Sequence, residues 1–220
     1  HRVKAVRNTA LWTLYTRQDP YCTAKLIGCS DAAGSFLFQQ RPYTVLKNAI
    51  EKEPYDYNPD MRKEMRGEYL KGKCNKNTLV VGNVGRMSLQ KNQTRLIAIF
   101  SEIKKKHPNS VLWLVGDGET REEVEKLVKE HELTEDVVFF GMIDFAKDLY
   151  QAMDVLVMPS LFEGLPMVGV EAQASGLPCV FSTAITREVD IASAHYLALQ
   201  DGDSIWAETA LGQGLRYQNG

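Results

Sequence analysis

The stretch DVLVMPSLFEGLPMVGVEAQASGLPCVF, Asp154 to Phe181, decides the fold. Residues 155–158 are apolar without alternation, which suits a strand covered on both faces. A loop carrying Glu163 and Gly164 follows, and Pro166 stands where a helix favours proline. Residues 166–175 have helical spacing, Gly176 and Pro178 end them, and residues 179–181 form a second apolar run. This is one β-loop-α-β unit, which makes its two strands parallel.

The same alternation extends in both directions. Further strands are expected at 79–84, 111–115, 137–140 and 196–199, and helices at about 91–106, 120–132 and 145–153. The fold class is therefore α/β, a Rossmann-like parallel sheet with helices on both faces. Before residue 78 the pattern changes. Residues 25–29 and 43–46 suggest two more strands around a helix at 31–38, a partial second α/β domain. A polar stretch with two prolines, EKEPYDYNPDMRKEMRGEYLKGK, reads as a connection with a helix starting near Asp60. The expected organisation is a remnant domain at 1–53, a linker with its helix at 54–77, and a main domain at 78–220.

Composition narrows the function. The 220 residues are 44% apolar with a formal charge of −2, which gives no electrostatic reason to expect nucleic acid. No apolar run approaches the ~20 residues of a membrane-spanning helix. The basic N-terminus lacks an apolar core and cleavage site, so it is not a secretory signal. Cys22, Cys29, Cys74 and Cys179 have neither CxxC nor zinc spacing, and a reducing cytoplasm is the default. The absence of an initiator Met suggests a piece of a longer chain. There is no HExxH pair and no GxSxG elbow.

Ligands of open parallel sheets bind at the carboxyl ends of the strands, so the loops there carry the candidates. In GNVGRMSLQKN, Gly82 and Gly85 permit a tight turn, and Arg86 and Lys91 set two cations near the next helix, a pairing suited to a diphosphate. A glycine turn with surface cations is the plainer alternative. VGDGET fails as a dinucleotide fingerprint because Arg121 takes the third glycine position; its glycines serve either a strand-to-helix turn or a backbone edge against a nucleoside. The helix near Pro166 offers free N–H groups and a positive dipole end to an anion. Glu163 lies just before that end and Glu171 about a turn and a half inside it. Two carboxylates flanking an anion site suit hydroxyl-rich groups, because an ionised carboxylate accepts from two vicinal hydroxyls. Asp201-Gly202-Asp203 has a DxD form but reads as a turn and helix cap, and Asp154 as a structural cap before its strand.

On these residues the chain resembles the C-terminal domain of family 4 glycosyltransferases, of GT-B fold. The matching pieces are VGNVGRMSLQKN, LVGDGETREEVEKL, VVFFGMIDFAKDLYQAMDVLVMPSLFEGLPMVGVEAQASGLPCV and ITREVD, within roughly 24–207. Glu163 and Glu171 meet the family's Glu-x7-Glu spacing, and the wording is closest to the capsular and exopolysaccharide branch. The resemblance implies retaining transfer from a UDP- or GDP-sugar to a glycan or lipid-linked acceptor, with no metal or other cofactor. It places Arg86 and Lys91, with Gly85, at the donor diphosphate, and Glu163 at the donor sugar as the catalytic residue. It also places Gly164, Leu165, Pro166 and Met167 near sugar and phosphate, Glu171 at the ribose, and the backbone of Met142 at the base. It implies a cytoplasmic location, with peripheral membrane association through the larger part of the N-terminal domain. That part, with an acceptor site and a catalytic histidine, is expected to be missing here. Two alternatives stay open: a binding module without transfer, and a GT-B epimerase-like enzyme.

Overall fold

The computed structural model describes residues 25–29, 31–70, 72, 77–192 and 194–219. The chain divides into two compact units, His1–Lys47 and Asn48–Gly220. In the first, strands β1 (Ile27–Gly28) and β2 (Thr44–Val45) pair in parallel and are joined through helix α1 (Asp31–Phe38). The division falls a few residues before the expected position 53. The stretch expected as a linker, 54–77, is part of the second unit.

The second unit begins with a 3₁₀ turn, Glu53–Tyr55, and helix α2, Pro59–Tyr69. Asn58 caps α2, its side chain accepting from the Asp60 and Met61 N–H groups. Six strands follow: β3 (Leu79–Val84), β4 (Ser110–Val115), β5 (Val137–Gly141), β6 (Val155–Met158), β7 (Cys179–Ser182) and β8 (His195–Leu197). All are parallel in the order β5-β4-β3-β6-β7-β8. The connecting helices are α3 (Gln93–Lys106), α4 (Arg121–Glu130), α5 (Ala146–Ala152) and α6 (Met167–Ala174), and α7 (Asp203–Asn219) closes the chain.

Both faces of the sheet are covered, as the continuous apolar strands require. Successive side chains point to opposite faces. Leu79, Val81, Leu112, Leu114, Val155 and Val157 pack with α3, α4 and α7. Val80, Val111, Trp113, Leu156, Met158 and Phe181 pack with α2, α5 and α6. Strand order reverses between β3 and β6, which makes their carboxyl ends the switch point where doubly wound sheets take ligands.

At the opposite, amino edge, Asp154 is fully buried and ties the unit together. It forms ion pairs with Arg62 and Arg66, accepts from the Val80 N–H at 2.7 Å, and accepts from Gln218 of α7 at 2.8 Å. The expected cap role is thus part of a larger anchor joining α2, β3, β6 and α7. Among the described residues no helix is long and apolar enough to cross a membrane.

Element limits differ slightly from expectation. The first helix of the sheet starts at Gln93 rather than at 91, because Asn92 takes a left-handed conformation and donates to the Pro159 carbonyl at 3.0 Å. Pro166 is the N-cap of α6 and not its first helical residue, and Met167 takes that place.

A candidate nucleotide-sugar site at the switch point

The loop after β3 and the loop after β6 are stitched together across the switch point. Gln90 accepts from the Leu161 N–H through its backbone carbonyl (2.8 Å), and its side chain donates to the Phe162 carbonyl (3.0 Å). The same side-chain amide donates to Glu163 Oε2 at 3.1 Å. Lys91 Nζ forms an ion pair with Glu163 Oε1 at 2.5 Å, with both side chains largely buried. Lys91 and Glu163, singled out separately in the sequence, therefore meet directly.

Gly85 lies directly beneath the lysine. Its φ of +146° suits glycine, and an added Cβ would lie 3.2 Å from Lys91 Cε. The lysine stem runs over the bare backbone at the end of β3. Gly116 has a comparable role one strand over: with φ +122°, a Cβ there would fall 2.2 Å from the Gly85 carbonyl oxygen. The glycines of VGDGET thus serve close packing of the loops after β3 and β4. Met87 and Asp117 hold that contact through a backbone hydrogen bond of 3.0 Å.

Arg86 lies on the same edge, with its side chain 69% exposed and its Nε 3.1 Å from Glu119. Its own backbone hydrogen bonding, and then Arg86, hold the Glu119 carboxyl below the usual range. Gly164 is exposed, and an added Cβ there would meet open space; Leu165 is half-buried and Pro166 is buried. Gly169 N–H turns back to the Pro166 carbonyl at 3.0 Å, which leaves the preceding N–H groups at the start of α6 facing the loop side. Met142 follows β5 at the far end of the same edge and is 86% exposed.

Glu171 has a separate set of partners. Tyr150, fully buried on α5, donates its hydroxyl to Glu171 Oε2 at 3.0 Å. Burial, and next the Glu171 charge, push the Tyr150 phenol far above its ordinary value. Gln90, Tyr150 and Glu119 were not singled out from the sequence. Gln90 adjoins Lys91 in a polar loop, which is a weak signal; an apolar-face tyrosine on a helix gives none.

The remaining candidates are accounted for within the chain. Asp201 accepts from the Ala198 N–H at 2.7 Å, and Asp203 opens α7 and pairs with Arg95 at 3.0 Å, so the DxD stretch is a turn and a helix start. His107 bonds Ser110, and His195 bonds Gln213. A groove of about 350 Å³ lies along edge strand β5, lined by aromatic residues including Tyr69, Phe140 and Phe145, away from the Lys91–Glu163 pair.

A doubly wound sheet with glycine-turned loops, a cation–carboxylate pair and a helix start at its switch point has the frame of a nucleotide-binding protein. Comparison narrows that class: the model of the family Glycosyl transferases group 1 matches residues 69–197, more than half of the chain, and the chain belongs to that family. It is 37% identical over 194 residues to a Bacillus subtilis (strain 168) protein that carries the name glycosyltransferase EpsF, covering 84% of this chain and 49% of EpsF. It is 31% identical over 142 residues to the Escherichia coli UDP-Gal:alpha-D-GlcNAc-diphosphoundecaprenol alpha-1,3-galactosyltransferase, covering 63% of this chain and 36% of that enzyme. In fold it is similar to Anabaena Alr3699/HepE, whose crystal structure holds UDP and glucose. The TM-score is 0.75 at 22% identity, over 89% of this chain and 55% of HepE. The chain thus spans about half the length of these relatives or less, and the parallel sheet with its flanking helices matches the GT-B arrangement expected.

Proposed function

We propose that the chain is the donor-binding portion of a retaining glycosyltransferase that moves a sugar from a UDP- or GDP-sugar to a glycan or lipid-linked acceptor in surface polysaccharide biosynthesis. The observation that carries this reading is the Lys91–Glu163 pair at the switch point, with the lysine laid over Gly85. In this reading Lys91 and Arg86 meet the diphosphate, and the free N–H groups at the start of α6 add to the positive field. Charge that builds on the departing diphosphate is thereby stabilised without a metal ion. Glu163, held by Gln90 and Lys91, faces the donor sugar, where a carboxylate eases an oxocarbenium-like transition state. Glu171 takes the ribose hydroxyls, and the backbone at Met142 the base. The E. coli relative, named for a UDP-sugar donor and a diphosphoundecaprenol acceptor, supports this substrate class.

Calorimetric titration with UDP, GDP and their glucose conjugates, in the presence of a chelator, tests the site. Micromolar-to-millimolar binding is expected. Arg86→Ala weakens it by roughly 10-fold, because a charged hydrogen bond contributes about 1.5 kcal/mol or more. Lys91→Ala weakens it further, with thermal melts controlling for the buried Glu163 it leaves behind. Binding of none of these nucleotides would sink the assignment. Glucosyl release or transfer measured with this chain separates catalysis from donor binding alone.

A further inference from the structure

Glu171 and Glu163 are held by opposite means. Glu163 is paired with a cation, whereas Glu171 accepts from a phenol. Tyr150 donates to Oε2 from the buried side. The 3₁₀ turn Glu53–Tyr55 packs against α6, the helix that carries Glu171, and the Tyr55 ring lies 6.4 Å from that of Tyr150. Burial, and next the charge of Glu171, push the Tyr55 phenol up, as they do for Tyr150.

The turn that carries Tyr55 is tied to α5 by a side chain. Gln151, buried beside Tyr150 on α5, donates to the Tyr55 and Asp56 carbonyls at 3.3 Å each and accepts from the Asn58 N–H at 3.1 Å. Adjacent residues of α5 therefore hold the carboxylate and the segment that carries Tyr55. Neutral donors orient a carboxylate without cancelling its charge. Tyr150 occupies sites on Oε2 and leaves acceptor capacity on the group for hydroxyls.

We propose that Tyr55 and Tyr150 are positioning residues that present Glu171 to a vicinal diol, and that through Gln151 the segment 52–58 belongs to the ribose-recognition site. This rests on the reading above in which Glu171 faces the ribose.

Titration of the whole chain with UDP and with 2′-deoxy-UDP tests it, the guanine pair being used if GDP is the nucleotide bound. The wild type is expected to prefer ribose by roughly 10-fold or more, the worth of a hydrogen bond to a charged group. Glu171→Gln abolishes most of that ratio. Tyr55→Phe and Tyr150→Phe, which keep their rings, each cut it by about threefold or more, since a loosened carboxylate loses part of that bond. A purely structural role would lower both affinities alike and leave the ratio unchanged. Full ribose preference in both phenylalanine variants overturns the proposal, and so does a wild type that binds UDP and 2′-deoxy-UDP equally. Failure of the wild type to bind either nucleotide overturns the donor-site reading itself.

Discussion

Tyr150 is a phenol enclosed in the core with a carboxylate as its acceptor, and both features disfavour its ionisation. Its folded pKa lies above the unfolded value of about 10. The stability this represents is fully present below pH 10 and is lost as pH rises from there, where the unfolded chain releases a proton the folded chain retains. Denaturant melts across pH 9 to 11 should therefore show Tyr150→Phe with a shallower alkaline decline, by about 1.4 kcal/mol per pH unit above pH 10. Parallel slopes for the two proteins would show that Tyr150 does not titrate in this way. The carboxylates at 163 and 171 were legible at this scale because their spacing and the helix between them were. Their partners were not: Gln90 lies 73 residues from Glu163 and Tyr150 lies 21 from Glu171, and no local pattern encodes such pairings.

At the scale of elements, the sheet is closed at its amino edge by the Asp154 cluster while its carboxyl edge carries the candidate site. Arg62 and Arg66 on α2, the Val80 N–H on β3 and Gln218 on α7 converge on a single buried carboxylate. Breaking a buried pair by removing one partner strands the rest, at about 3–5 kcal/mol. Asp154→Ala should lower the unfolding free energy by roughly that amount, while the UDP affinity of the folded protein stays within about twofold, because the cluster lies across the sheet from the switch point. A loss below about 1 kcal/mol would show that Arg62 and Arg66 find other partners. The strands and their order of appearance could be read from apolar runs. The helix within 54–77 was legible, but the docking of α2 was not, because it depends on two arginines and on an aspartate far along the chain.

At the scale of the molecule, both hydrophobic layers of the six-stranded sheet are formed within Asn48–Gly220. A chain of residues 48–220 should therefore unfold in one cooperative transition and bind UDP as tightly as the full chain. An uncooperative melt of that shorter chain would show that the first unit contributes to the core. The sequence by itself determined the α/β class, the parallel strands and the two glutamates, because apolar periodicity, Pro166 and the glycines act over short range. The tertiary structure alone decided the strand order, and with it the switch point, the meeting of Lys91 with Glu163 and that of Tyr150 with Glu171. Those depend on which strands lie side by side, which is settled by packing on both faces of the sheet and by the buried ties at its amino edge.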